Sequence, residues 1–551
     1  MRSTMMDVPL TISAIMRYGT TSFADSLVVT CTQEGTRSRS YGAAGRRAAQ
    51  LANALRRLGV DGDQRVATFM WNNAEHLEAY LAVPSMGAVL HTLNIRLAAE
   101  QLAFIANHAA DDVIIADASL ARLLATVLPT METVRHVIVS DPSSRTAAAA
   151  AEQLAGAGRP VHVYEDLLAA EPESFGWPAL DERDAAAMCY TSGTTGNPKG
   201  VVYSHRSAYL HSMAVCMGNA FGVNSGDRLL PVVPMFHANA WGLPYAALLA
   251  GADLVMPDRF LQPVPLARLI ASERPTVAGA VPTIWNELLR YVRANGGDLS
   301  SLRMVPCGGS AVPHALMQAF EEELGVRIVH AWGMTETSPL ASIAHPPPGA
   351  SGEEAWRYRD TQGRLLAAVE ARLVGDGGTV LPQDGAAVGE IEVRGPWITG
   401  AYYRDEDPAR FDDGWLRTGD VGAIDRLGYI TLTDRAKDVI KSGGEWISSV
   451  ELENALMAHP DVVEAAVVGV PDDKWGERPF AAVVIQEGAS VSPDELRKFL
   501  SSKVAHWQLP ERWSFIAEVP KTSVGKFAKT RLRDGYAKGE YNVLHEHGTP
   551  G

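Results

Sequence analysis

Strand patterns alternate with helix patterns along residues 1–140, and this alternation constrains the fold more than any other feature of the chain. Ser40 is predicted to cap an amphipathic helix that Gly59 ends. The pattern also predicts a helix over residues 73–85 and buried strands over residues 66–70, 113–116 and 137–139. Such alternation is typical of βα units on a mostly parallel sheet.

A second alternating region covers residues 185–345 and ends at a run of three prolines and a glycine, residues 346–349. Short β patterns separated by Gly-rich turns follow and predict an antiparallel sheet or barrel, at residues 368–374, 389–394 and 429–433. Ser448 and Glu451 have the spacing of a capping box that opens a helix. The last predicted elements are strands over residues 465–470 and 480–485 and a helix from Pro493.

These patterns predict an α/β protein with a large N-terminal domain, a linker and a small C-terminal domain. Residues 1–434 are predicted to form two doubly wound sheets plus a β-barrel-like subdomain. Residues 435–444 are predicted to be a hinge linker, and residues 445–551 a mobile α+β domain. The length agrees, because single cores stop growing near ~250–300 residues and the chain has 551.

Composition excludes several classes of function. The net charge is −15, which disfavours general binding to nucleic acid, whose backbone requires cationic contacts. The four cysteines contain no CxxC pair and are predicted to be reduced thiols in a cytoplasmic protein. No transmembrane segment is predicted. The longest stretch without Asp, Glu, Lys or Arg, residues 229–252, contains three prolines and is interpreted as a buried strand plus loop.

Residues 190–200, YTSGTTGNPKG, are the densest cluster of hydrogen-bond donors in the chain. Five hydroxyls and three glycines allow a tight turn whose N–H groups can point at an anion, and Lys199 adds a cation. The segment does not form GxxxxGK[ST], so it is not a Walker A loop. A phosphate-binding loop is the favoured interpretation, and a Ser/Thr-rich surface turn is the alternative.

This segment resembles the phosphate loop of the adenylate-forming superfamily, which includes acyl-CoA synthetases, carrier-protein adenylation domains and beetle luciferases. The motifs NAW, residues 239–241, and GGEWISS, residues 443–449, are most similar to those of medium- and long-chain fatty acyl-CoA synthetases. Further motifs match in the expected order, at residues 233–241, 308–311, 332–337, 415–420, 434–438, 441–448 and 520–526. The resemblance therefore covers nearly the whole chain.

The resemblance implies an ATP site and a bound Mg²⁺. Glu336 and Thr191 are the implied metal ligands, although Glu336 could instead be an ordinary first-turn residue of a helix. Trp332 replaces the more usual tyrosine and is expected to stack on adenine, with a core aromatic as the alternative. Asp420 is expected to accept from the ribose hydroxyls, with an Asx turn after Gly419 as the alternative. The implied ATP-binding residues are Thr191, Ser192, Gly193, Thr194, Thr195, Lys199, Gly309, Trp332, Gly333, Thr335, Glu336, Asp420 and Arg435.

The resemblance also implies catalytic and acyl-binding residues. Lys526 is expected to bridge the carboxylate and the α-phosphate, with His237 and Lys441 as further catalytic residues. His237 also lines the acyl pocket, where Trp241 stands at the mouth of the acyl tunnel; a structural histidine and a core tryptophan are the alternatives. Lys437 matches the hinge residue, about which the small domain rotates between the half-reactions. Gly443 lies on the expected CoA tunnel.

The implied activity is ATP-dependent ligation of a fatty acid to CoA. Acyl-AMP and pyrophosphate form first, then acyl-CoA and AMP, as part of fatty acid metabolism. The partners are a carboxylic acid, ATP and CoA; a homodimer is left open. Four alternatives also remain open: a CoA ligase for an aryl or short thioether acid, an enzyme that loads a carrier protein, an oxygenase of the luciferase type, and an inactive acyl or nucleotide sensor.

Overall fold

The computed structural model describes residues 1–142, 144–191, 197–405, 407–435, 437–442, 445–522 and 525–545, and only the backbone of residues 144, 376, 445, 446 and 545. The chain divides into two compact units. Unit 1 comprises Met1–Pro306, Gly333–Ala341 and Gly395–Pro408; unit 2 comprises Cys307–Trp332, Ser342–Arg394 and Ala409–Gly551. The domain boundaries proposed from the sequence, with a linker at residues 435–444, stay a prediction.

Helices and strands alternate through most of unit 1. Its helices are α1 Ile12–Ser22, α2 Tyr41–Arg57, α3 Ala74–Ser85, α4 Ala99–Ala109, α5 Ala121–Val127, α6 Ser144–Ala155, α7 Tyr164–Ala169, α8 His205–Cys216, α9 Leu243–Ala250, α10 Pro263–Glu273 and α11 Pro282–Asn295. Its strands are β1 Leu27–Thr32, β2 Gly35–Ser40, β3 Arg65–Phe69, β4 Val89–Thr92, β5 Asp111–Asp117, β6 His136–Ser140, β7 Val161–Val163, β8 Ala185–Tyr190, β9 Gly200–Ser204, β10 Arg228–Pro231, β11 Asp253–Met256 and β12 Val277–Gly279.

The described strands of unit 1 form two mostly parallel sheets. One has the order β7-β6-β5-β3-β4-β8-β9, and only the β8–β9 pair is antiparallel. The other has the order β12-β10-β11-β1-β2, and only the β1–β2 pair is antiparallel. The predicted βα architecture is confirmed.

Helix starts are the clearest local signals in unit 1. The Ser40 hydroxyl accepts from the Ala43 N–H at 3.2 Å at the start of α2, as predicted. The Asn73 side chain accepts from the His76 N–H at 3.0 Å at the start of α3. Every residue of α3 is buried, as expected of a helix packed on all sides, so its polar side chains need internal partners.

The uncharged stretch at residues 229–252 is a strand, an irregular segment and a helix, rather than only strand and loop. Strand β10 ends at Pro231 and α9 begins at Leu243. Pro244 lies in the first turn of α9, where its missing N–H costs nothing, so this proline starts a helix. In the described part of the chain, no helix is both long enough and apolar enough to cross a membrane.

A further large sheet is formed by the strands that follow α11. They are β13 Val305–Gly308, β14 Ile328–Gly333, β15 Leu340–Ile343, β16 Gly363–Leu365, β17 Glu370–Val374, β18 Val380–Leu381, β19 Gly389–Arg394, β20 Phe411–Asp412, β21 Trp415–Ile424 and β22 Tyr429–Arg435. The accompanying helices are α12 His314–Leu324 and α13 Gly352–Arg359. Pairs β15–β16, β16–β22, β17–β19, β19–β21 and β21–β22 are antiparallel, as predicted.

The end of the chain forms an α+β body within unit 2. Its described strands are β23 Ile440–Ser442, β24 Glu445–Ile447, β25 Val462–Asp472, β26 Gly476–Ile485, β27 Arg512–Phe515 and β28 Leu544–His545; its helices are α14 Ser449–Met457, α15 Pro493–Ser501 and α16 Lys529–Ala537. The Ser448 hydroxyl accepts from the Glu451 N–H at 3.1 Å and caps α14. The predicted fold class is confirmed, and all four cysteines are free thiols.

Candidate active site

The candidate phosphate loop joins β8 to β9 as a closed hairpin connection. The Thr191 N–H donates to the Lys199 carbonyl at 2.9 Å, and the Lys199 N–H donates to the Thr191 hydroxyl at 3.1 Å. Four predicted phosphate ligands, Ser192, Gly193, Thr194 and Thr195, lie outside the described residues. Both ends of the loop are therefore fixed by the sheet.

The Lys199 ammonium lies among acidic and aromatic groups of unit 1. Its Nζ is 2.5 Å from Asp407 Oδ2 and 3.4 Å from Asp405 Oδ2, and 4.8 Å from the centre of the Tyr402 ring. Although burial lowers it, hydrogen bonds to Asp407 and Asp405 raise the pKa of Lys199. The Lys199 ammonium therefore stays positively charged beside these two carboxylates.

Glu336 lies in a short 3₁₀ helix, Thr335–Thr337, and its carboxylate is buried. The Tyr402 hydroxyl donates to Glu336 Oε1 at 2.7 Å. The neighbouring Thr335 carbonyl accepts from the Tyr203 hydroxyl at 2.7 Å. Gly333 permits this turn, because a Cβ there would lie 1.8 Å from the Pro339 carbonyl oxygen.

Glu336 and Thr191 have the oxygen donors that suit a magnesium ion which takes most of its ligands from substrate. Mg²⁺ prefers hard oxygen ligands and is usually held by one or two carboxylates plus phosphates and water. Glu336 offers a carboxylate and Thr191 a hydroxyl. Among the described residues, no group of three or more His, Cys, Asp or Glu side chains could hold a metal ion. This part of the chain therefore does not supply a complete set of metal ligands by itself.

A second polar cluster lies in unit 2 and centres on Asp420, which is buried. The Trp332 indole N–H donates to Asp420 Oδ2 at 2.8 Å, and the Arg435 Nε lies 3.3 Å from Asp420 Oδ1. Asp420 and Arg435 are direct partners in the β21–β22 ladder. The predicted nucleotide residue Gly309 has a φ of +86° in the same unit, a conformation that favours glycine.

The segment that contains His237 and Trp241 has an unusual backbone in unit 1. Ala238, Asn239, Ala240 and Trp241 have φ values of +43° to +58°, which cost L-residues ~1–2 kcal/mol each. The Tyr80 hydroxyl donates to Asn239 Oδ1 at 3.2 Å.

The side chain of Asn72 fixes the start of the same segment. Its amide donates to the carbonyls of Pro231 and Val233, each at 2.8 Å, and its oxygen accepts from the Met235 N–H at 2.7 Å. A buried amide just before α3 therefore holds the chain in place where it enters the strained segment.

A small cavity of about 10 Å³ adjoins this segment, a volume that fits about one water molecule. It is lined by Tyr203, Ala208, His211, Ser212, Asn239, Gly242, Tyr245 and Ser338. His211 is buried, and burial lowers its pKa to about 3. Its Nε2 accepts from the Leu340 N–H at 3.1 Å, so the neutral ring carries its proton on Nδ1.

The remaining predicted residues lie in unit 2, except Gly443, which is outside the described residues. Lys526 follows Gly525, whose φ is +82°, and its N–H donates to the Thr522 hydroxyl at 3.1 Å. Lys441 has an exposed side chain in β23. Lys437 is exposed, and its carbonyl accepts from Arg533 at 3.1 Å. The roles of these residues stay predictions.

The sequence analysis did not identify the residues that contact or support the predicted site residues. Tyr402, Asp405 and Asp407 contact Glu336 or Lys199, and Asn72 and Tyr80 support the acyl segment. No spacing rule links Tyr402 to a glutamate 66 residues earlier. The prediction of buried polar groups in α3 would have required knowing that the helix is enclosed.

Comparisons with known proteins identify the family of the chain. Residues 20–403 match the family described as AMP-binding enzyme, and residues 451–526 match the AMP-binding enzyme C-terminal domain. The chain is 42% identical over 536 residues to a 3-methylmercaptopropionyl-CoA ligase of Ruegeria pomeroyi, and the match covers 97% of this chain and 98% of that protein. It is 43% identical over 542 residues to a long-chain-fatty-acid–CoA ligase of Thermus thermophilus, and the match covers 97% of each.

A solved structure shows the same fold. The crystal structure of an anthranilate CoA ligase in complex with anthranoyl-AMP has a TM-score of 0.85 and 25% sequence identity, and the match covers 97% of this chain and 99% of that one. The predicted resemblance to acyl-CoA synthetases is confirmed. The chain belongs to the AMP-binding enzyme family and is an acid–thiol ligase.

Proposed function

We propose that the protein is an ATP-dependent ligase that joins a fatty acid to CoA through an acyl-AMP. The observation that carries the proposal is the arrangement around Tyr402. Its hydroxyl holds the buried carboxylate of Glu336, and its ring lies against the Lys199 ammonium. A fixed carboxylate near a cation suits a magnesium–triphosphate, which needs an oxygen ligand for the metal and a counter-charge for the phosphates.

In the first half-reaction, the substrate carboxylate attacks the α-phosphate and pyrophosphate leaves. Both reactants are anions, so the site must supply positive charge where charge develops. We assign the phosphate contacts to Lys199 and the hairpin loop, and the α-phosphate contact to Lys526. Glu336 and Thr191 would hold Mg²⁺, which supplies further positive charge when bound. His237 would face the carboxylate.

The cluster of unit 2 is proposed to bind the nucleoside. The Asp420 carboxylate has four lone-pair sites, and the Trp332 and Arg435 donors use one on each oxygen. Two sites are left for the ribose hydroxyls. The same N–H that anchors Trp332 to Asp420 fixes the plane of the indole, which would then stack on adenine.

In the second half-reaction, the CoA thiol attacks the acyl carbonyl and AMP leaves. We propose that Lys526 acts only in the first step, because one site cannot present Lys526 to the α-phosphate and admit CoA at the same time. We propose that the body formed by α14–α16 and β23–β28 changes position about Lys437 between the steps, and that Gly443 borders the path of the thiol. Lys441 is the proposed contact to the adenylate.

A second candidate substrate is a short thioether acid. The observation that favours it is the match, at 42% identity over 536 residues, to a 3-methylmercaptopropionyl-CoA ligase. Relatives named for both kinds of acid match this chain at similar identity.

The test is an acid panel assayed for two products in parallel. Purified protein is given ATP, Mg²⁺ and one acid from butyrate to palmitate, 3-methylmercaptopropionate or benzoate, with and without CoA. We expect acid-dependent pyrophosphate release, and a CoA thioester only when CoA is present. A thioester on carrier protein but not on CoA would support the carrier-loading alternative. Oxygen consumption during turnover would support the oxygenase, and no pyrophosphate with any acid would contradict the ligase.

The cytoplasmic location and the homodimer stay predictions from the sequence. Neither is needed for the reaction proposed above, because every residue assigned to it belongs to a single chain. Sedimentation of the purified protein over a range of concentrations would determine the oligomeric state.

A further inference from the structure

A short segment of unit 1 lies against both charged groups proposed to bind the metal–triphosphate. We call it the strap; its described residues are Tyr402, Tyr403, Arg404, Asp405 and Asp407. It belongs to none of the motifs recognised in the sequence. The strap is hydrogen-bonded to the first residue of β9, just after the candidate phosphate loop, because the Tyr403 N–H donates to the Gly200 carbonyl at 2.8 Å. Arg404 also donates to the His108 carbonyl at 3.1 Å.

Tyr402 contacts both charged groups with one side chain. Its hydroxyl donates to Glu336 Oε1 at 2.7 Å, and both side chains are buried, at 6% and 5% exposed. The face of its ring lies 4.8 Å from the Lys199 ammonium, within the range of a cation–π contact. Tyr402 therefore contacts both the anion and the cation, and Asp405 and Asp407 also hold the Lys199 ammonium.

The hydroxyl contact has a direct consequence for the carboxylate. A carboxylate on a freely rotating side chain presents either oxygen in many directions. The bond from the buried Tyr402 hydroxyl to Oε1 restricts the rotation of the carboxylate and so limits the directions in which Oε2 can point. Partners of this kind orient metal ligands, and their loss typically lowers metal affinity ~10–100-fold.

We propose that Tyr402 is a positioning residue for Mg²⁺·ATP: its hydroxyl orients the Glu336 carboxylate toward the metal, and its ring places Lys199 for the phosphates. This inference rests on the proposed function. It predicts that the hydroxyl and the ring of one side chain serve two different ligands, the metal and the phosphates.

The test compares three variants by binding and not only by turnover. Tyr402→Phe removes the hydroxyl and keeps the ring, and Tyr402→Leu removes both. Tyr403→Phe is the matched control, because it removes a hydroxyl from the adjacent strap residue, whose ring contacts His108 and Arg404. Binding of a non-hydrolysable α,β-methylene ATP analogue is measured by titration calorimetry over a range of Mg²⁺ concentrations.

We expect Tyr402→Phe to raise the Mg²⁺ concentration for half-maximal analogue binding about tenfold or more. Tyr402→Leu should in addition weaken analogue binding at saturating Mg²⁺. Tyr403→Phe should change neither quantity. Tyr402→Phe should keep the circular dichroism spectrum of the wild type, which a general loss of structure would not allow.

A double-mutant cycle with Glu336→Gln gives the decisive comparison. If Tyr402 acts through Glu336, its hydroxyl has no further effect on the Mg²⁺ dependence once the carboxylate is gone. Additive effects of the two substitutions would overturn the proposal, and so would a Mg²⁺ dependence of Tyr402→Phe equal to that of Tyr403→Phe. If the wild type releases no pyrophosphate with any acid while Tyr402→Phe still shifts the Mg²⁺ dependence, the proposed function fails and the positioning role stands.

Discussion

Replacing Trp332 by phenylalanine tests the proposal that Trp332, Asp420 and Arg435 bind the nucleoside, because it removes a single hydrogen-bond donor. The change removes the indole N–H that donates to Asp420 Oδ2 at 2.8 Å and keeps an aromatic ring. Asp420 is 4% exposed, so bulk water cannot readily replace the lost donor. Arg435 remains, at 3.3 Å from the other oxygen. The carboxylate therefore keeps one of its two anchors.

The magnitude follows from the charge and burial of the acceptor. A hydrogen bond to a charged group contributes about 1.5–3 kcal/mol. If the lost hydrogen bond is needed to hold Asp420 in the orientation that binds AMP, the affinity for AMP drops about ten- to a hundredfold, since 1.4 kcal/mol is about tenfold in an equilibrium constant. Trp332→Tyr keeps an aromatic ring and offers a hydroxyl donor, so the loss of AMP affinity should be smaller in this variant.

The assay is AMP binding by titration calorimetry, with circular dichroism to check that each variant is folded. Trp397→Phe is the matched control, because Trp397 is also buried and its indole N–H donates at 3.1 Å, but to the neutral Leu340 carbonyl. That variant reports the loss of a buried indole without the loss of a charged partner. Equal AMP affinities for the wild type, Trp332→Phe and Trp397→Phe would refute the reasoning.

Three further outcomes are expected. Gly333→Ala should abolish ATP-analogue binding measured by calorimetry, because its Cβ would lie 1.8 Å from the Pro339 carbonyl oxygen, beside the turn that carries the proposed metal ligand. In single-turnover assays, Lys526→Ala should lose ~10²–10³ of the adenylation rate and keep thioester formation from acyl-AMP, whereas Lys437→Pro, with φ fixed near about −65°, should do the reverse. Burial and the neighbouring Asp258 carboxylate raise the pKa of Asp117 to about 8, so its neutral form favours folding at low pH, and this stability is lost as the pH rises from about 4 to about 8. Asp117→Asn should reduce the pH dependence of the urea-unfolding midpoint over that range, and an unchanged pH dependence would contradict the burial argument.

Local chemistry explains why so much of the fold could be predicted. The cap at Ser40 depends on residues that are neighbours in the sequence, and the structure has the predicted bond to the Ala43 N–H. The antiparallel strand predicted at residues 389–394 is β19, Gly389–Arg394. Period and flanking residues are sufficient in both cases, because each signal is complete within one element.

Signals that involve several elements cannot be interpreted in the same way. In the sequence Pro244 suggests a loop, yet it starts α9, since a proline is tolerated in the first turn of a helix. The sequence does not reveal the strap, because its partners, Lys199 and Glu336, are far from it along the chain. Side-chain periodicity carries no information on such pairings.

Positive φ values at consecutive non-glycine residues are the third kind of feature that the sequence conceals. Ala238, Ala240 and Trp241 are ordinary residues that nothing marks as left-handed. Such strain persists only where the surroundings over-determine it. The surroundings here include the side chains of Asn72 and Tyr80, which hydrogen-bond to the segment and to the residues that lead into it.

This dependence on distant groups bears on the choice of acid. The motif around Trp241 predicts an acyl site, and residues outside the motif contact it, as the Tyr80 hydroxyl of α3 contacts Asn239. Two chains can therefore share the motif and shape different pockets around it. Relatives named for a short thioether acid and for long-chain fatty acids match this chain at 42% and 43% identity, as expected if the preferred acid depends on residues outside the motif.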